Sequence, residues 1–151
     1  MMYKIAKNVP NRKFLVVGET DSLSRRYYTA LRGLKNVEIF PYKIDMKEAY
    51  RKARLLVSPV KWYEPFGRTP AEAMVSGIPS IVPNKGGLPE VVGNSGGIIK
   101  DSENLEEWIK EIKKYDDKRY YEKKSRLCKK RVKKFSLEKQ YKKLKRILKV
   151  F

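Results

Sequence analysis

Apolar residues come in short blocks along this chain. Phe14-Leu15-Val16-Val17 is one, and Val37-Glu38-Ile39-Phe40, Leu55-Leu56-Val57, Ser80-Ile81-Val82 and Gly97-Ile98-Ile99 follow it. Short apolar runs rich in branched side chains read as strands buried on both faces. The stretches between them have helical spacing. Asp21-Ser22 opens a helix with Tyr27, Tyr28, Leu31 and Leu34 on one face, and Asp45 caps a shorter one holding Ala49, Tyr50 and Ala53. Met1 to Val9 reads as a short helix before the Pro10-Asn11 turn, and Leu88 to Val92 as a single helical turn. Strands alternating with helices predict an α/β fold, a Rossmann-like parallel sheet with helices on both faces.

After the last strand the spacing is helical throughout. Leu105, Trp108, Ile109 and Ile112 form an apolar face able to dock on the sheet. Tyr121, Cys128, Val132 and Phe135 make a narrower stripe. Ser136 caps a final helix with Leu137, Tyr141, Leu144, Leu148 and Phe151 in near-heptad order. The expected organisation is a Rossmann-like domain over residues 1–114 and a basic helical tail over 115–151 docking on it, with 115–119 as the hinge.

Composition narrows the class. A chain of 151 residues, 41% hydrophobic, can build one domain with a core. No apolar run is long enough to span a bilayer, and the polar start predicts no signal peptide. The single Cys128 rules out an internal disulfide and fits a reducing, cytoplasmic setting. Zero His and one Cys argue against a transition-metal site. A lone Gln140 beside abundant Lys points to a thermophilic source.

The formal charge is +19, and it is uneven: residues 110–151 hold 19 basic against 5 acidic side chains. The tail, with KKSRLCKKRVKKF and YKKLKRILKVF, is basic and amphipathic with interleaved aromatics. Such a tail can lie on anionic lipid or nucleic acid, or simply present a solvated face while docking on the core. This gives the alternative reading of the chain, a basic interaction module. Lipid is favoured over nucleic acid, which would leave a cytoplasmic protein peripheral at a membrane.

The chemistry concentrates in Trp62 to Pro79, WYEPFGRTPAEAMVSGIP. Pro65 and Gly67 break regular structure. Thr69-Pro70-Ala71-Glu72 predicts a helix start, with Thr69 as N-cap and Glu72 closing a capping box, and Gly77 ends the helix. Unpaired N–H groups at a helix start favour an anion. Glu64 on the loop and Glu72 on the first turn flank that site, and carboxylates accept hydrogen bonds from hydroxyls. An anion between two hydroxyl acceptors suggests a phosphorylated sugar.

Glu64-Pro65-Phe66-Gly67 with Glu72-Ala73-Met74, Gly77 and Pro79 resembles the donor-binding motif of the retaining glycosyltransferase family 4, the glycosyl transferases group 1. That motif has two glutamates with seven residues between them. The likeness continues through Gly86-Gly87-Leu88-Pro89-Glu90-Val91-Val92 and Gly96-Gly97, and covers roughly Phe14 to Ile112. The resemblance implies the C-terminal, donor-binding half of a GT-B enzyme. Glu72 would bind the donor ribose. Glu64 would contact the donor sugar, stabilise charge at the anomeric carbon and so be catalytic. The amides of Phe66 and Gly67 would face sugar hydroxyls, and those of Arg68 and Thr69 the diphosphate. Gly86 and Gly87 would shape the adjoining wall, and Tyr42 and Lys43 lie in the segment whose backbone holds the base. Arg68 could pair with phosphate.

The resemblance also implies limits. The family's C-terminal domain opens with a strand, then a Gly-Arg and a Lys that hold the donor phosphates, and nothing before Phe14 matches them. Lys4 and Lys7 do not take that role. Residues 1–13 are too few for a parallel crossover into that strand position, which needs about a dozen residues or more. Either the neighbouring strands close up or another chain fills the gap. The expected function is binding of a nucleotide diphosphate sugar for retaining transfer to an acceptor. It would need no cofactor or metal, and an N-terminal partner or self-association would complete the enzyme.

Overall fold

The structure, a computed structural model, describes residues 1–18, 25–40 and 46–148. The elements run α1 (Met2–Asn8), β1 (Phe14–Val17), α2 (Arg25–Arg32), β2 (Val37–Phe40), α3 (Lys47–Lys52) and β3 (Leu56–Val57). Then come α4 (Arg68–Val75), β4 (Ser80–Pro83), α5 (Leu88–Val92), β5 (Gly97–Ile99), α6 (Leu105–Lys114), α7 (Lys118–Val132) and α8 (Leu137–Leu148). Short 3-10 turns follow α5 at Gly93–Ser95 and α7 at Lys133–Phe135.

Among the described residues every strand pair is parallel, as the alternation of strands and helices predicts. β1 pairs with β2 from Phe14 opposite Val37 to Val17 opposite Phe40. β4 is central to a second sheet, between β3 and β5. Among the described residues β1 and β3 do not pair, so the neighbouring strands have not closed up.

β4 shows why its sequence is a continuous apolar run. All four residues are buried, because alternate side chains enter different layers. Ile81 points into a core with Ile5, Ile99, Trp108, Ile112 and Tyr115, built under α1 and α6. Val82 points the other way, to Leu88 and Val92 of α5. Beside that lies a third cluster of Met74, Val91 and Cys128, which seats α7 on α4 and α5. Fully burying one such aliphatic side chain contributes about 1.5–3 kcal/mol.

α6 and α7 start on side-chain caps. Asn104 accepts from the N–H groups of Glu106 and Glu107, and Asp117 from that of Tyr120. Residues 115–119 form a tight corner, with Tyr115 buried and its ring edge-on to Tyr120 at 5.1 Å. α7 is bound to the domain by more than apolar contact. Lys124 Nζ donates to the carbonyls of Asn94 and Gly96 at 2.9 and 3.0 Å. The Arg131 guanidinium donates to the carbonyls of Glu90 and Val91. Cys128 is buried against Ser95, and burial raises its thiol pKa, so it is an inert core sulfur. α8 differs. Its predicted apolar stripe is present, but Leu137, Tyr141, Leu144, Ile147 and Leu148 are all exposed. Phe151, and the helix starts expected at Asp21-Ser22 and Asp45, lie outside the described residues. Leu34 falls just beyond the end of α2.

Candidate functional site

The loop from Trp62 to Gly67 and the start of α4 form one unit. Gly67 takes the left-handed conformation, φ 90° and ψ 68°, and is itself the N-cap. The first helical bond runs from the Ala71 N–H to the Gly67 carbonyl. This corrects the expected start: Thr69 lies in the first turn, no side chain caps the helix, and the Thr69–Glu72 capping box does not form. The physical reason is Pro70. A proline is tolerated anywhere in the first turn, where the N–H groups have no helical acceptor. It therefore did not fix the first helical residue. The earlier start leaves the N–H groups of Gly67, Arg68 and Thr69 without an intrahelical partner.

Released from capping, Glu72 turns outward. One carboxylate oxygen accepts the Tyr50 hydroxyl of α3 at 3.1 Å, and the other lies 3.7 Å from Arg68 Nη2. Burial, and then the hydrogen bond to Glu72, raise the Tyr50 pKa, so it remains a neutral donor. Glu64 is held locally, accepting the Trp62 indole N–H at 2.8 Å. Both carboxylates thus have oriented, partly exposed oxygens on either side of the helix start in sequence. Arg68 is exposed beside the Glu72 carboxylate.

The Gly86-Gly87 loop is packed on this unit. The Gly87 N–H donates to the Glu64 carbonyl at 2.7 Å, and Lys85 Nζ reaches the Lys61 carbonyl at 3.3 Å. Gly86 has φ 55°, and a Cβ there would strike the Glu64 backbone; at Gly87 it would strike the Pro65 carbonyl. Both glycines are explained by this close approach of two backbones. Gly67 fits against Leu88, whose Cδ2 would lie 2.6 Å from an added Cβ. The Phe66 ring stands edge-on to Phe135 beyond α7, at 5.4 Å.

The structure therefore brings Glu64, Phe66, Gly67, Arg68, Thr69, Glu72, Gly86 and Gly87 to one end of α4. Tyr42 and Lys43 lie outside the described residues. Sequence reasoning missed Tyr50 as a partner of Glu72, because nothing local links α3 to α4. The Trp62–Glu64 pair was in reach, being two residues apart. Among the described residues no group of three or more His, Cys, Asp or Glu side chains could hold a metal ion.

Comparison with known proteins gives this arrangement a family. An uncharacterized 42.6 kDa protein in the cps region of Klebsiella pneumoniae is 35% identical over 77 residues, 49% of this chain and 19% of that protein. A glycosyltransferase from Rickettsia africae superposes with a TM-score of 0.82 at 23% identity, over 99% of this chain and 44% of its own. Sucrose-phosphate synthase from Thermosynechococcus elongatus gives 0.77 at 22% identity, over 97% and 42%. Anabaena HepE, solved with UDP and glucose, gives 0.71 at 18% identity, over 99% and 44%. These likenesses establish the fold, that of one half of a GT-B protein, and the chain spans less than half the length of each of these proteins. The profile of the glycosyl transferases group 1 matches residues 1–135 of the 151, and the chain belongs to that family.

Proposed function

We propose that this chain binds a nucleoside diphosphate sugar as the donor half of a retaining glycosyltransferase. The observation that carries the reading is the start of α4. There, the N–H groups of Gly67, Arg68 and Thr69 have no intrahelical acceptor, and the chain on either side carries two carboxylates already oriented by Trp62 and Tyr50. The N–H groups of Arg68 and Thr69 and the Arg68 guanidinium face the diphosphate, so the positive potential comes from backbone and side chain rather than a metal. Glu72 accepts from ribose hydroxyls, and Glu64 faces the sugar and the charge developing at its anomeric carbon. Phe66 and Gly67 contribute backbone amides to the sugar. Gly86 and Gly87 hold the loop wall, and Tyr42 and Lys43 contribute backbone to the base. A partner presents the acceptor. The anomeric C–O bond breaks with its electron pair leaving on the diphosphate, the acceptor oxygen bonds to that carbon with the same configuration, and the acceptor's hydroxyl proton passes to the departing phosphate oxygen. HepE, a protein of the same fold, was solved with UDP-glucose, which makes UDP-sugars the first donors to try.

The test is a melting-temperature series against UDP-, GDP- and ADP-sugars, followed by calorimetric titration of the best. Stabilisation that grows with ligand concentration and disappears in Glu64→Ala supports the reading. No shift with any nucleotide sugar overturns it. A radiolabelled-donor transfer assay on the purified chain then separates binding from turnover. Binding without appreciable transfer is the expected result, since catalysis also needs a positioned acceptor.

A further inference from the structure

Aromatic side chains crowd around Glu64 in the chain, and they stand in solvent. Trp62 is 62% exposed and Tyr63 78%, and Phe66 is exposed two residues after the carboxylate. Among the described residues before α7, the only other exposed aromatic side chain is Tyr27 of α2. The second indole, Trp108, is fully buried, with its N–H on the Ser102 carbonyl at 3.1 Å. Burying a large aromatic ring removes about 150–250 Å² from water, so leaving Trp62 outside forgoes a large contribution to folding. Packing therefore gives no reason for an indole at this position.

Nor is the ring loose. The indole N–H donates to Oε2 of Glu64 at 2.8 Å, which fixes one edge of the ring against the carboxylate. The loop beneath it is pinned on both sides. Lys85 Nζ donates to the Lys61 carbonyl at 3.3 Å, and the Gly87 N–H to the Glu64 carbonyl at 2.7 Å. A ligand that stacks on this indole does not have to order it first. Glu64 must be open to any substrate it acts on, and Trp62, bonded to it, shares that opening. The negative π-face of an indole attracts C–H groups, and a carboxylate accepts hydroxyls. Side by side, the two match a pyranose, which has a C–H face and a rim of hydroxyls. A phosphate would instead be repelled by Glu64.

We propose that Trp62 and Tyr63 receive the acceptor, and that the acceptor is a pyranoside, stacked by its C–H face on the Trp62 indole with a hydroxyl toward Glu64. This rests on the donor reading above and adds the second substrate to it. In that reading the donor takes up the chain after Glu64: the amides from Phe66 to Thr69, and Glu72. Trp62 and Tyr63 precede Glu64 and are left for the other substrate. The indole bond occupies Oε2 and leaves Oε1 of Glu64 to the donor sugar. Trp62 then determines specificity, favouring closed sugar rings over open-chain polyols that carry similar hydroxyls.

The experiment is NMR titration of the isotope-labelled full chain with the methyl pyranosides of glucose, galactose, mannose and N-acetylglucosamine. Each is added with and without the tightest-binding nucleotide sugar of the melting series, and sorbitol is the open-chain control. The Trp62 indole N–H resonance should shift with at least one pyranoside, with a Kd in about the millimolar range, and that of buried Trp108 should stay. The shift should persist with nucleotide sugar bound, and sorbitol should move neither resonance. Trp62→Ala should weaken pyranoside binding about tenfold or more, and Trp62→Phe, which keeps a ring, should weaken it less. No shift with any of the four, in a chain that nucleotide sugars do stabilise, would overturn the proposal and leave the donor reading standing. Loss of pyranoside binding once nucleotide sugar is bound would also overturn it, by placing Trp62 against the donor's own sugar. Pyranoside binding in a chain that no nucleotide sugar stabilises would overturn the donor reading and the acceptor role with it.

Discussion

The Tyr50 hydroxyl donates to a carboxylate oxygen of Glu72 at 3.1 Å, linking α3 to the second turn of α4. With no capping box to maintain, Glu72 contributes little to the helix. Its ion pair with exposed Arg68 is worth no more than about 1 kcal/mol. Glu72→Gln should therefore keep its melting temperature within a few degrees while nucleotide-sugar affinity falls. A hydrogen bond to a charged group contributes about 1.5–3 kcal/mol, so the expected loss is on the order of ten- to a hundredfold. Tyr50→Phe should lose less, through positioning alone. Calorimetric titration of the three proteins decides it, and equal affinities would remove Glu72 from the site.

A second outcome is expected from the contact of Gly86 with the Glu64 backbone. Gly86→Ala adds a Cβ at positive φ against main chain, which cannot give way as a flexible side chain can. It should cost about 1–3 kcal/mol by urea unfolding and displace the loop carrying Glu64. Donor affinity should fall with it. A variant as stable and as tight-binding as wild type would show that the two loops move apart without consequence.

The pH response has a definite sign. Burial raises the pKa of Tyr50 and of Tyr115 above the unfolded value of about 10. Above that pH the unfolded chain releases these protons while the folded one keeps them. Their stabilising contribution is thus complete below about pH 10 and is lost as pH rises through the folded values. Unfolding free energy measured from pH 8 upward should fall beyond pH 10. The double variant Tyr50→Phe, Tyr115→Phe should flatten the fall, and an unchanged slope would refute the assignment.

The exposed apolar stripe of α8 stands among Lys139, Lys142, Lys143, Lys145 and Arg146. Apolar and cationic faces on one helix fit an anionic membrane surface. Cosedimentation with anionic vesicles at low salt is the expected outcome. It should fade toward physiological ionic strength, where screening acts over about 8 Å. Equal recovery with neutral vesicles would refute a charge-driven attachment.

What could be read from the sequence was whatever depends on near neighbours. The apolar runs at Phe14, Val37 and Ser80 became strands within a residue of their expected limits, because burial on both faces needs an unbroken run. The Glu64 and Glu72 loop could be recognised because its residues are contiguous. What depends on distant packing could not. Pro70 is compatible with any first-turn position, so the helix start was misplaced by two residues. The resemblance made Gly86 and Gly87 part of a wall, and it did not show that the main chain of residues 64 and 65 presses against them. The exposure of α8 was equally hidden, since a heptad of Leu and Tyr looks the same whether or not anything covers it.

Arg131 reaches from α7 to the carbonyls that end α5, and α5 begins where the Gly86-Gly87 loop stops. Lys124 and Arg131 of α7 are therefore not free to drift as surface residues usually are. A mutation that reshapes residues 124–131 would be selected against through the loop holding Glu64, some sixty positions earlier in the gene. Compensating changes should accumulate in pairs across that interval.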